Sequence, residues 1–165
     1  MAFTFIKDGP CRVAILSDTH GHLADEFIAA IDGCDLILHA GDLNTPEILE
    51  TLRALAPTVA VRGNMDGGRW ADELPVYEAV TTSKSVFHII HDLQMLEELC
   101  DIPTGYANTV VVYGHTHIRH TTRDDSGRLY LNPGSATLPR KGHRPSIAIA
   151  ELVEDKISLS PIEID

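Results

Sequence analysis

Five short stretches of the chain carry residues that could do chemistry together: Asp18-Thr19-His20, Gly41-Asp42, Gly63-Asn64, His91 and Gly114-His115-Thr116-His117. They supply three carboxylate or amide oxygens and four imidazoles. Asp18 and His20 are two apart, as are His115 and His117, a spacing that in extended backbone aims both side chains to one side. Nitrogen and oxygen donors without a thiolate suit borderline or hard divalent ions such as Mn²⁺, Fe²⁺, Ni²⁺, Co²⁺ or Zn²⁺, not a structural cysteine-zinc site. Asp18, His20, Asp42, Asn64, His91, His115 and His117 are too many ligands for one such ion. They suit two ions that share a carboxylate and keep positions open for water and substrate. Two ions about 3.5–4 Å apart form the usual clamp for in-line displacement at phosphorus.

The elements that must position these residues can be read from hydrophobic patterning. Apolar runs at Arg12 to Leu16, Leu36 to Leu38 and Val59 to Val61 alternate with two helical patterns. One helix has Leu23, Phe27, Ala30 and Ile31 on a single face; the other, behind Pro46, has Ile48, Leu49, Leu52 and Leu55. The pattern predicts βαβαβ with a parallel sheet covered on both faces. Further strands are expected at Val76 to Val80, Ser85 to Ile90 and Thr109 to Tyr113, with a short helix at Leu93 to Cys100. A hairpin follows at Ile118 to Thr122 and Leu129 to Leu131, then strands at Ile147 to Val153 and Ile157 to Leu159. The expected architecture is one α/β domain over residues 1–165 with an antiparallel or mixed second half. All five chemical stretches follow a strand, and the carboxyl ends of parallel strands share one edge where ligands bind. Gly41, Gly63 and Gly114 each precede a candidate ligand, where the chain must turn tightly.

With these five motifs in this order, the sequence resembles the calcineurin-like metallophosphoesterases, whose pattern is D-x-H, G-D, G-N, H and G-H-x-H. Leu131-Asn132-Pro133-Gly134-Ser135 is similar to the Asn-Pro-Gly-Ser segment of the small YfcE-like phosphodiesterase branch, so the likeness spans nearly the whole chain. The resemblance implies two packed mixed β-sheets flanked by helices, a four-layer sandwich. It also implies one ion on Asp18, His20, Asp42 and His117 and another on Asp42, Asn64, His91 and His115. Asp42 would bridge them, and a metal-bound hydroxide would attack the phosphorus of a small phosphodiester or monoester. Asp42, Asn64 and His91 are the residues expected at the reacting centre, with Asn64 and Met65 facing substrate. Manganese is the expected metal. Two departures stand out. Many relatives carry His after Gly-Asn where this chain has Met65, so a built-in general acid is missing; and Asp92 replaces the usual Gly after His91, a position from which it could cap the following helix. The retromer complex contains a subunit of this fold that serves protein interaction, which makes a non-catalytic scaffold the alternative. That subunit has lost part of the ligand set, whereas all seven positions are filled here.

Other residues have plainer readings. His39 is expected to hydrogen-bond behind the site, and Asp66 to anchor the loop of Asn64 or to orient an imidazole. Arg140, Lys141 and Arg144 form either a solvated loop or an anion-recruiting rim. Cys11, Cys34 and Cys100 are expected as reduced thiols. The 165 residues carry a formal charge of −11, and two bound divalent ions bring it to about −7, which disfavours long nucleic acid. No apolar run is long enough for a membrane span, and the first residues lack a signal-peptide core, so a cytoplasmic location is expected. Self-association is left open.

The Met65 position generates a kinetic expectation. General-acid help is worth about 10²–10⁴-fold, so rates should fall steeply as the leaving group becomes more basic. Met65→His should flatten the slope of log rate against leaving-group pKa across substituted phenyl diesters. A wild-type slope near zero, with chemistry limiting, would mean that another acid fills the role.

Overall fold

The computed structural model describes residues 2–96 and 105–165. In its first half, β2 (Cys11–Leu16), β3 (Leu36–His39) and β4 (Thr58–Ala60) pair in parallel, with Leu16 opposite His39 and His39 opposite Ala60. They are linked by α1 (Asp25–Ile31) and α2 (Pro46–Leu55), as the βαβαβ pattern predicts. Pro46 opens α2, where its missing N–H costs nothing because no intrahelical partner exists for it. The last hairpin, β10 (Ser146–Val153) and β11 (Lys156–Glu163), turns at Glu154-Asp155 and joins this same sheet, β10 running antiparallel to β2.

A second sheet contains β1 (Phe3–Thr4), β5 (Tyr77–Thr81), β6 (Ser85–Ile90), β7 (Asn108–Val112), β8 (His120–Arg123) and β9 (Leu129–Asn132), in the order β1-β5-β6-β7-β9-β8. It is mixed: β6, β7 and β9 are parallel, β5 is antiparallel to β6 but parallel to β1, and β8 is antiparallel to β9. Two elements escaped the sequence patterning, the two-residue β1 and the one-turn α3 (Arg69–Asp72). Both are too short to show a hydrophobic period. The expected helix at Leu93 to Cys100 begins instead as a 3₁₀ turn, Leu93–Met95; Leu99 and Cys100 lie outside the described residues. The first helix starts at Asp25, with Leu23 buried just ahead of it.

The apolar runs of the first sheet are continuous because both faces are covered. Val13, Ile15, Leu36 and Leu38 meet Phe87, Ile89, Val110 and Val112 between the sheets. Ala14, Leu16, Ile37 and Ile149 pack outward on Phe27, Ile31, Leu49 and Leu52 of the two helices. On the far side of the second sheet, Ile90, Val111 and Tyr113 gather with Leu96. The result is the α/β arrangement of two packed mixed sheets with few helices. The carboxyl ends of β2, β3, β4, β6 and β7 lie at one common edge, which is what the site requires.

Phe87 is fully buried between the sheets and among the largest such side chains. Phe87→Ala should lower the unfolding free energy by about 3–5 kcal/mol. Urea denaturation of wild type and variant measures this, and an unchanged midpoint would mean that the inter-sheet core is not as described.

Candidate metal centre

The loops leaving these strands bend abruptly. Asp18, His20, Asp42, His115 and His117 all have positive φ, between 46° and 67°. Left-handed backbone is costly for side chains with a Cβ, of the order of 1–3 kcal/mol each, and persists only where the surroundings impose it. Here they do. Asp18 N–H donates to Gly41 O (3.0 Å) and His20 N–H to Asp42 O (3.0 Å), lacing the β2 loop to the β3 loop. The buried Asp66 carboxylate accepts three backbone N–H groups, from Asp42 (2.9 Å), Gly63 (2.8 Å) and Asn44 (2.7 Å). Of its two expected roles, Asp66 therefore takes the first: it ties the Asn64 loop to the Asp42 loop.

His39 sits behind the centre. Its Nδ1 accepts from Gly41 N–H (3.1 Å), which leaves Nε2–H to face Thr19 Oγ1 (3.1 Å). Burial pushes its pKa down to about 3, so it stays neutral and structural. All three glycines are needed for space, a Cβ on Gly41 lying 2.7 Å from His91 Nδ1 and 2.9 Å from the Gly63 backbone. A Cβ on Gly63 would fall onto the Asp42 carboxylate, and one on Gly114 onto the Ser17 hydroxyl. Only Gly41 of the three has a left-handed φ, 94°.

Around this frame the structure gathers two groups of donors. Ligand atoms of Asp18, His20, Asp42 and His117 lie within 4.8 Å of one another. In the second group, His91 Nε2 stands 3.4 Å from Asp42 Oδ2 and 3.0 Å from Asn64 Oδ1, and His115 Nδ1 stands 3.1 Å from the same Asn64 oxygen. Asp42 Oδ2 touches both groups, being 3.9 Å from His20 Nε2. All seven sequence candidates thus meet in one crevice. Met65 adjoins them, with its N–H on Asp42 Oδ1 (2.8 Å) and its side chain 58% exposed. Asp92 does cap, accepting from Gln94 N–H (3.0 Å), but on the 3₁₀ turn. Arg144 pairs with Asp165 (2.7 Å), while Arg140 is tied to the site through its backbone, donating to His117 O (3.0 Å).

The donor chemistry fits a cation. His117 Nδ1–H donates to Leu138 O (2.7 Å), so its Nε2 lone pair points inward, 3.2 Å from Asp18 Oδ1 and 3.2 Å from His20 Nε2. Asp18 Oδ1 is buried and accepts no hydrogen bond. His91 repeats the arrangement with Nδ1–H on Ala40 O (2.7 Å). Carbonyls that hold imidazole Nδ1–H in this way fix the ring and the lone pair presented to a metal. Burial raises the Asp18 pKa, against the Ser17 hydroxyl and the imidazoles of His91 and His117. Burial opposes ionisation of Asp42 as well, but the His91 hydrogen bond and the Met65 N–H hold it below the usual carboxylate range.

Residues that patterning did not single out complete the support. Asn132 Nδ2 donates to Gly114 O (2.9 Å) and Thr116 Oγ1 (3.0 Å), and Ser135 Oγ donates to Asp18 O (2.8 Å). The Asn-Pro-Gly-Ser stretch is thus a clasp between the loops of both sheets. Ser17, which donates to Asp18 Oδ2 (2.7 Å), was signalled only as a polar residue ending an apolar run.

A family model for the calcineurin-like phosphoesterase superfamily domain matches residues 11–155. The chain belongs to this family. A probable metallophosphoesterase of Methanothermobacter thermautotrophicus is 30% identical over 88% of this chain and 88% of its own length. Another from Methanocaldococcus jannaschii is 33% identical over 98% of this chain and 85% of its own. Among solved structures, the E. coli phosphoesterase YfcE superposes with a TM-score of 0.66 at 22% identity, covering 93% of this chain and 100% of its own. Chaetomium thermophilum Vps29 gives 0.70 at 16% identity, covering 92% and 97%. These two likenesses bear on the fold alone. The calcineurin-like family uses divalent metals, and the Asp18, His20, Asp42 and His117 cluster is this chain's candidate site for one.

The pH response follows from His91. Burial disfavours its charge, but the Asp42 and Asp18 carboxylates and the Ala40 carbonyl favour it more, so its pKa lies above 6.5. In the metal-free protein the His91 proton contributes stability that is fully present below pH 6.5 and lost as pH rises through the raised value. A divalent ion takes the same lone pair. Metal binding should therefore release protons and tighten as pH rises across that window. Titration calorimetry in buffers of different ionisation enthalpy measures the release, and affinity independent of pH there would contradict it.

Proposed function

We propose that the protein is a dinuclear metal-dependent phosphodiesterase acting on small phosphodiesters. The supporting observation is the complete set of seven donors in one crevice, with the buried Asp18 Oδ1 left without a hydrogen bond among imidazole lone pairs. In this reading Asp18, His20, Asp42 and His117 hold one ion, and Asp42, Asn64, His91 and His115 the other. When bound, such ions supply a nucleophile at neutral pH and offset the charge that grows on the phosphoryl oxygens. The chain's own residues orient the parts. The Ala40 and Leu138 carbonyls aim His91 and His117 inward. The Met65 N–H keeps Asp42 Oδ1 engaged, so Oδ2 faces both groups. Asn64 offers its amide N–H to a phosphoryl oxygen, and Met65 places a thioether where an acid would stand, so the leaving group departs unaided. Manganese suits this mixture of imidazole and oxygen donors. A Methanocaldococcus jannaschii relative, 29% identical over 74% of this chain and 82% of its own length, is named a phosphodiesterase, which favours diesters.

The second reading, a protein-binding scaffold, draws on the likeness to Vps29. A scaffold has no need of seven ligands. The two part on one assay: hydrolysis of an aryl phosphodiester should vanish on chelation and return with Mn²⁺ better than with Ca²⁺. Asp42→Asn should weaken both ions and His117→Ala chiefly one, read as metal-to-protein ratios. Full turnover in excess chelator would overturn the metal mechanism, and equal partial losses in the two variants would overturn the shared role of Asp42.

A further inference from the structure

The described residues expose seven large apolar side chains, and two of them, Val76 and Met95, lie together on the Asn64 and His91 side of the metal centre. Val76 and Met95 are 44% and 40% exposed, and both line a cavity of about 320 Å³. Asn64, His91 and His115 form the wall it shares with the centre, and the buried Ile90 backs it. Apolar groups that open onto a polar metal site have a cost in water that only a ligand removes. The volume lies at the small end of ligand pockets, which run from about 300 to 1,000 Å³, enough for one ring system.

The ionisable groups at the cavity narrow the ligand further. Besides His91 and His115, its lining includes Arg62 and Asp92. Arg62 is already committed, with Nη1 on the Asp72 carboxylate (2.9 Å) and Nε on Asp66 O (3.3 Å). Asp92 adds a negative charge at the cavity. A second phosphate or a carboxylate would have to compete with Asp72 for Arg62 and would face the Asp92 carboxylate, whereas an uncharged ring would meet Val76 and Met95.

We infer that this pocket receives one uncharged hydrophobic ester arm, so that the preferred substrate is an unsymmetric phosphodiester with a single apolar ring, with Val76 and Met95 as its specificity-determining residues. The inference rests on the phosphodiesterase reading for the position of the phosphoryl group. It explains why large apolar side chains stay exposed on the Asn64 and His91 side of the centre. On the His117 side, Leu138, whose side chain is exposed, accepts the His117 Nδ1–H at its carbonyl, and the Arg140 backbone N–H donates to His117 O.

Non-hydrolysable probes separate the pocket from catalysis. Methylphosphonate, phenylphosphonate, naphthylphosphonate and 4-carboxyphenylphosphonate can be titrated calorimetrically into the Mn²⁺-loaded protein. The ring-bearing probes should bind about tenfold or more tightly than methylphosphonate, the scale of a filled apolar subsite, and the added carboxylate should reverse the gain. Val76→Ser and the near-isosteric Met95→Gln should each cut the ring preference severalfold while leaving methylphosphonate affinity unchanged. Neither residue is among the proposed ligands, and unchanged melting temperatures establish that both variants fold. Equal affinities across the series, no binding of any probe, or a ring preference intact in both variants would overturn the inference. A ring preference without hydrolysis of any diester would sustain the pocket and overturn the catalytic reading; hydrolysis without a preference would do the reverse.

Discussion

The molecule is organised around groups that repel unless something positive lies between them. Asp18 Oδ1 and His117 Nε2 stand 3.2 Å apart, and with His117 Nδ1–H given to Leu138 O the Nε2 lone pair faces a buried carboxylate oxygen that accepts no hydrogen bond. Asp42 Oδ2, Asn64 Oδ1 and His91 Nε2 crowd in the same way, and there, without a metal, a proton on His91 offsets the repulsion. Such a cluster disfavours its own formation, so the surroundings must force it. Five left-handed residues supply the geometry, and hydrogen bonds accepted by Asp66 and donated by Ser135 and Asn132 hold it. The inter-sheet core supplies the free energy that keeps those loops in place.

Much of this was legible in the sequence because it rests on local rules. A glycine before a ligand and an apolar run before it are visible without a structure; the two-residue spacing is visible too, but the extended backbone expected to carry it is left-handed instead at Asp18, His20, His115 and His117. The continuous runs at Val13 to Leu16 and Leu36 to Leu38 announced a doubly covered parallel sheet, and the resemblance to the metallophosphoesterases ordered the motifs. Long-range hydrogen bonding was not legible. Nothing local says that Asn132 reaches Gly114, or that Ser135 reaches Asp18 across 117 positions. The role of Asp66 was left between two options because only tertiary contacts could choose. The reason for Gly63 and Gly114 also changed, from turning to space, since a φ angle cannot be read from a residue name. At Leu93 the expected helix opens with a 3₁₀ turn, a geometry frequent at helix ends that a hydrophobic period does not reveal.

The crevice is asymmetric in a way that composition could not show. The Asn64 and His91 flank opens onto a pocket lined by Val76 and Met95, whereas the His117 flank is held by backbone groups of Leu138 and Arg140. An overall charge of −11 says nothing of this local contrast. Net charge acts at long range, whereas a contrast of this kind acts only on a group that enters the crevice.

Four of the seven proposed donors hang from the sheet of β2, β3 and β4, and three from the sheet of β6 and β7. Ions held by them would work as rivets through a seam. Apolar contacts between sheets weaken gradually as surfaces slide, but coordination tolerates only about 0.2 Å. A shear between the sheets too small to open the core would therefore already empty the rivet holes. Metal occupancy becomes the molecule's strain gauge, and a substitution far down the interface, at the depth of Phe87, can register there before it registers anywhere else.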